Sequence, residues 1–111
     1  MSEFIAKESE SVQFIEPQDL AKWLEQDDAP LLIDVREREA HVYFNLGGDN
    51  ISILEFSSVI NQLDPDQATV IYCQVGQKSF NAASLLIAAD FTSVYSLKGG
   101  VESWQRTFHK K

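Results

Sequence analysis

Short apolar runs recur along this chain, separated by stretches of helical spacing or helical length, and this alternation constrains the fold more than any other feature. Val12-Gln13-Phe14-Ile15, Leu31-Leu32-Ile33, Ile51-Ser52-Ile53, Thr69-Val70-Ile71-Tyr72 and Ser93-Val94-Tyr95-Ser96-Leu97 read as five strands. Behind a Glu16-Pro17 helix start, Leu20, Trp23 and Leu24 fall at i, i+3, i+4 spacing and predict one buried helical face. Further helices are expected over Arg36 to Val42, Glu55 to Leu63, Phe80 to Ala89 and Val101 to Phe108. The basic residues Arg106, Lys110 and Lys111 suit the C-terminal dipole of the last one. Turns are expected at residues 27–30, Gly47-Gly48-Asp49-Asn50, residues 64–66 and Gly99-Gly100. Strands alternating with helices imply βαβ units, hence an α/β fold with a mostly parallel five-stranded central sheet and helices on both faces. Sites in such sheets form beyond the carboxyl ends of the strands. Asp34 and Cys73 both stand at expected strand ends, so both should lie on that edge.

A chain of 111 residues, 44% hydrophobic and 23% charged, supports one domain with an ordinary core. Residues 1–11 are polar apart from Phe4, Ile5 and Ala6 and read as an arm ahead of a domain over residues 12–111. No apolar run is long enough to span a membrane and no signal-peptide pattern opens the chain, so a cytoplasmic domain is expected. With a single cysteine no internal disulfide can form, and stability rests on packing. The net charge of −8 argues against nucleic acid as a partner. That charge is unevenly spread: residues 1–66 carry −11, and residues 67–111 carry +3. Nothing in the sequence calls for a metal or a cofactor.

The lone cysteine opens the segment Cys73-Gln74-Val75-Gly76-Gln77-Lys78-Ser79, between a strand and a helix. Backbone N–H groups at such a junction converge on whatever sits in the loop, and the helix dipole favours negative charge there. Gly76 allows the loop to curl with a positive φ. Lys78 places a cation beside the helix start, which favours a thiolate. Ser79 is expected to cap the helix through its hydroxyl. Together these residues describe a cradle for a thiolate or a sulfur-bound anion.

This segment resembles the active-site loop of rhodanese domains, C-R-x-G-x-R-S. Leu32-Ile33-Asp34-Val35-Arg36-Glu37 is similar to the family's L-[IL]-D-V-R-E segment. Val94-Tyr95-Ser96-Leu97-Lys98-Gly99-Gly100 with Trp104 is similar to its closing V-x-x-L-x-G-G-x-x-x-W segment. The three stand in the family's order, and the similarity extends over roughly residues 12–106. Asn45-Leu46-Gly47-Gly48, followed by Ile51, resembles the N-L-G-G variant of rhodanese modules attached to adenylating enzymes for sulfur carriers. The resemblance implies a sulfurtransferase in which Cys73 takes sulfane sulfur from thiosulfate or a persulfide donor. The sulfur, held as a persulfide, would pass to cyanide in vitro, or to a thiol or carrier protein in the cell. Gln74, Val75, Gly76, Gln77, Lys78 and Ser79 would form the cradle, with Asp34 and Arg36 supporting it as an ion pair at the sheet edge. Neither His41 nor His109 has a motif linking it to Cys73, and a surface or core role is expected for both.

Gln74 stands where the family often has arginine, and Lys78 where it ends its loop with one. Lysine lacks the bidentate fork that grips an oxyanion, so a poor Michaelis constant for thiosulfate is expected, with turnover retained. Two other functions compete. A phosphatase on the same fold needs five residues between its cysteine and a phosphate-holding arginine, whereas four separate Cys73 from Lys78. A non-catalytic rhodanese-fold module for protein contacts or sensing would leave Cys73 without activity.

Overall fold

The computed structural model describes residues 12–108, so the expected arm over residues 1–11 and the terminal His109, Lys110 and Lys111 lie outside the described residues. Five strands, β1 (Val12–Ile15), β2 (Leu31–Asp34), β3 (Asp49–Asn50), β4 (Thr69–Tyr72) and β5 (Val94–Leu97), form one sheet in the order β1-β5-β4-β2-β3. Every pairing is parallel, so the sheet is wholly rather than mostly parallel. Five helices complete the domain: α1 (Pro17–Leu24), α2 (Arg38–Tyr43), α3 (Ile53–Val59), α4 (Gln77–Ala88) and α5 (Gly100–Phe108).

Strand alternation sorts the core into two layers. Ile33, Ile71 and Val94 pack with Val35, with Phe56 of α3 and with Ala82, Ala83 and Leu86 of α4. Leu32, Val70, Tyr72 and Leu97 pack on the other face with Ile15, Leu20 of α1 and Val101 of α5. Every residue of β4 is buried, as expected for a central strand covered on both sides. Trp23 packs edge-on against Tyr95 at the rim of the second layer.

The chain order and the sheet order together create one special crevice. From β2 the chain moves outward to β3; from β4 it moves the opposite way, to β5. Neighbouring strands whose connections diverge leave a gap beyond their carboxyl ends, where ligands bind in open parallel sheets. Asp34 and Tyr72, register partners at the ends of β2 and β4, flank that gap.

Three expectations need correction. The third strand is Asp49–Asn50, which was expected as a turn, and Ile53 already begins α3. Gly48 presses so close to β2 that a Cβ there would meet the Leu32 carbonyl oxygen at 2.2 Å, so the turn closes at Gly47-Gly48 and pairing starts at once. Asn50 fixes the register by donating its side-chain amide to the carbonyls of Asp34 and Arg36. The helix expected over Glu55 to Leu63 is α3 followed by a single 3-10 turn, Ile60–Gln62. Finally, α2 begins at Arg38: Glu37, its N-cap, is extended at φ −64° and ψ 156°, and just before it the Arg36 backbone N–H turns back to bond Asp34 Oδ1 at 2.9 Å.

Candidate active site

Cys73 leaves β4 as the first residue beyond the strand and is only 2% exposed. Gly76 then takes φ +108° and becomes the N-cap of α4, so the helix starts at Gln77, three residues earlier than expected. The true loop is short: Lys78 and Ser79 belong to the first helical turn. Ser79 is therefore no N-cap. Its backbone N–H donates to Cys73 Sγ at 3.2 Å, and that of Gly76 does so at 3.1 Å. No other residue among those described donates to the sulfur. Two backbone donors at a helix N-terminus stabilise negative charge on that atom.

Beneath the sulfur lies a buried hydroxyl pair. The Ser79 hydroxyl donates to the Gly76 carbonyl at 3.1 Å, stands 2.8 Å from the Ser96 hydroxyl and accepts from the Cys73 thiol at 3.4 Å. Ser96 sits on β5, and the sequence reading did not single it out. Its signal was a polar residue at an inward position of an expected strand, which must find a buried partner.

The loop is also held from behind. Val101 and Glu102, in the first turn of α5, donate their backbone N–H groups to the carbonyls of Cys73 and Gln74 at 2.9 and 3.1 Å. Gly100 makes this approach possible, because a Cβ there would lie 2.5 Å from both carbonyl oxygens. Gly99-Gly100 thus braces the loop rather than lining the cavity.

On the β2 side, Arg36 forms a fork with Asp34. Its Nε lies 3.0 and 3.1 Å from the two carboxylate oxygens, and Nη2 lies 2.8 Å from Oδ2 and also donates to the Phe44 carbonyl. His41 adds a second partner, with Nδ1 2.9 Å from Asp34 Oδ2. Burial alone would raise the Asp34 carboxyl, but the bonds from Arg36 and His41 and the guanidinium charge outweigh it and hold the group below its ordinary value. Burial would lower Arg36, and the Asp34 carboxylate reverses that and raises it. His41 was expected in a surface or core role; it is half-buried and bound to Asp34, a link its isolated position in sequence does not reveal. Tyr72, beneath the guanidinium at 5.7 Å, is pushed up to about 12, chiefly by burial. Its hydroxyl donates to the Gly47 carbonyl and accepts from the Leu46 N–H, so the Asn45-Leu46-Gly47-Gly48 stretch is clamped by β4.

A cavity of about 650 Å³ opens at the β2–β4 crevice. Arg36, Glu37 and Ala40 line one side; Cys73, Gln74, Val75, Gln77, Lys78 and Asn81 line the other. Six of the expected residues thus meet around one space. Gly76 and Ser79 lie under the sulfur instead of in the lining, and Asp34 lies behind Arg36. Glu37, Ala40 and Asn81 were not anticipated; they follow from strand-end position and helix periodicity once α2 and α4 are placed. Among the described residues no cluster of His, Cys, Asp or Glu has the makings of a metal site, and no helix is long and apolar enough to cross a membrane.

Comparison with known proteins bears on what this cavity does. Residues 16–107 match the family described as rhodanese-like domain. A thiosulfate sulfurtransferase GlpE of Pseudomonas syringae pv. syringae is 35% identical over 96 residues, covering 83% of this chain and 87% of that protein. A rhodanese-related protein of Thermoplasma volcanium superposes with a TM-score of 0.77 at 24% identity, over 86% of this chain and 93% of that one. A protein of Rhodopseudomonas palustris described as a possible tyrosine phosphatase gives a TM-score of 0.74 at 19% identity, over 92% and 86%. The two structural likenesses speak to the fold alone.

Proposed function

The chain belongs to the rhodanese-like domain family, and from that premise we propose that it is a sulfurtransferase whose nucleophile is Cys73. The observation that carries the proposal is the pair of backbone N–H groups, from Gly76 and Ser79, aimed at a sulfur that opens onto a cavity. Relatives named thiosulfate sulfurtransferase support the same reaction class.

The chemistry balances without oxidant or metal. The Cys73 thiolate attacks the outer sulfur of thiosulfate; a new S–S bond forms, the old one breaks, and the electron pair leaves with sulfite. The resulting persulfide carries its negative charge into the place where the two N–H groups and the α4 dipole favour it. Cyanide, a thiol or a carrier protein then attacks the outer sulfur and regenerates the Cys73 thiolate. Lys78, at the mouth, attracts an anionic donor as a point charge. The rest of the cradle holds geometry: Gly76 turns the loop, Ser79 supports the sulfur, and Asp34 keeps Arg36 in place. A single unpaired cysteine working on thiols and persulfides suits a reducing, cytoplasmic setting.

The four-residue interval between Cys73 and Lys78 also favours sulfur over phosphate. With α4 starting at Gln77, the loop is too tight to surround a phosphate ester with N–H groups. The test is formation of thiocyanate from thiosulfate and cyanide. Wild type should turn over, Cys73→Ser should not, and neither should cleave an aryl phosphate; aryl phosphatase activity lost in Cys73→Ser would replace this reading. Lys78→Arg should lower the thiosulfate KM severalfold, because the guanidinium grips two oxygens at once. An unchanged KM would remove Lys78 from donor binding.

A further inference from the structure

Arg36 has five N–H donors in a fixed plane. Nε and Nη2 are spent on Asp34 and on the Phe44 carbonyl. Nη1 meets only the side-chain carbonyl of Gln74, at 3.2 Å, the longest bond this side chain makes. Both residues line the cavity with Cys73. The Gln74 backbone is fixed by the Glu102 N–H on its carbonyl, but its side chain is exposed and can swing away at low cost. An acceptor is thus tethered against the one guanidinium nitrogen left for a ligand.

We infer that Gln74 acts as an internal occupant of the anion site, and so turns the enzyme away from oxyanion donors such as thiosulfate and toward thiol persulfides. The inference rests on the sulfur-transfer reading above. A carboxamide oxygen offers Nη1 the same acceptor as a sulfonate oxygen, so thiosulfate must displace it to use both Nη1 N–H groups and otherwise meets only one. A persulfide, R–S–S–H, carries no such oxygen at its reacting end and leaves the Gln74–Arg36 bond in place. The lining charges agree. Arg36 is already answered by Asp34, and the lining holds Glu37 as well as Lys78, so the positive charge that meets a doubly charged ion is small. The persulfide step also balances. The Cys73 thiolate attacks the outer sulfur, the donor S–S bond breaks with its electron pair on R–S⁻, and the proton travels with the transferred sulfur.

The test compares kcat/KM for thiosulfate and for glutathione persulfide in wild type, Gln74→Ala and Gln74→Met, the last keeping volume without an acceptor. The ratio of the thiosulfate to the persulfide value should rise about fivefold in both variants, as expected for removal of one competing hydrogen bond. Gln74→Glu should lower it, since a carboxylate binds the guanidinium more tightly. A ratio that falls or stays level in the Ala and Met variants overturns the inference, because Gln74 would then aid thiosulfate binding or be irrelevant to it. If wild-type Cys73 gains sulfur from neither donor, the sulfur-transfer reading itself fails, and that result is distinct from an unmoved ratio.

Discussion

At the scale of single residues, the most consequential group outside the loop is Asp34. It is fully buried and answers a guanidinium that is 8% exposed. Replacing it by Asn leaves Arg36 charged and without its counter-ion, which should destabilise the protein by about 3–5 kcal/mol. The effect carries a pH signature. A carboxyl held below its ordinary 3.8 contributes stability that is fully present above that value and is lost as pH falls through the folded value. Urea unfolding from pH 7 to pH 2 should therefore show a constant gap between wild type and Asp34→Asn above pH 4, closing in stronger acid. A gap undiminished between pH 4 and pH 2 would mean the pair is not what Asp34 supplies. Sequence reasoning reached Asp34 and Arg36 as an ion pair because they sit two apart at a strand end. It could not reach His41 or Ser96, whose partners lie on other elements, or Glu37, whose place in the cavity lining follows from tertiary placement alone.

At the scale of elements, the strands were legible where apolar runs are continuous, as in Thr69-Val70-Ile71-Tyr72, and illegible where pairing is set by a close contact. β3 is polar, two residues long, and exists because Gly48 lets the backbone touch β2. The start of α4 was misread for a related reason: Gly76 caps it by backbone conformation, without a side-chain hydrogen bond. The brace from α5 gives a prediction at this scale. Gly47 and Gly100 both have positive φ, at +102° and +64°. A methyl group at Gly47 meets nothing within 4 Å, whereas one at Gly100 collides with the Cys73 and Gln74 carbonyls. Gly47→Ala should cost about 1–2 kcal/mol, the strain of a left-handed residue. Gly100→Ala should cost more and also slow sulfur loading of Cys73 at least severalfold, measured by stopped reaction and mass. Equal losses in the two variants would show that the brace does not shape the loop.

At the scale of the whole molecule, the parallel topology gathers the site from halves of opposite charge. Arg36 and Glu37 come from the acidic half and Cys73 with Lys78 from the basic half, and they meet because β2 and β4 are neighbours with diverging connections. A net charge of −8 repels a dianion on approach, and the balanced lining does not reverse that field. Raising the salt concentration should therefore increase the rate at which thiosulfate loads Cys73, as screening shortens the repulsion. A steep fall instead would reveal a focused positive potential at the cavity. The central claim, that Cys73 carries sulfur, is tested most directly by intact-mass measurement after incubation with thiosulfate and with glutathione persulfide. The chain has one cysteine, so no second thiol can take the sulfur in its place. Wild type should gain the mass of one sulfur, lose it on addition of cyanide, and show no gain as Cys73→Ala. No gain from either donor, or a gain that survives in Cys73→Ala, would contradict the account.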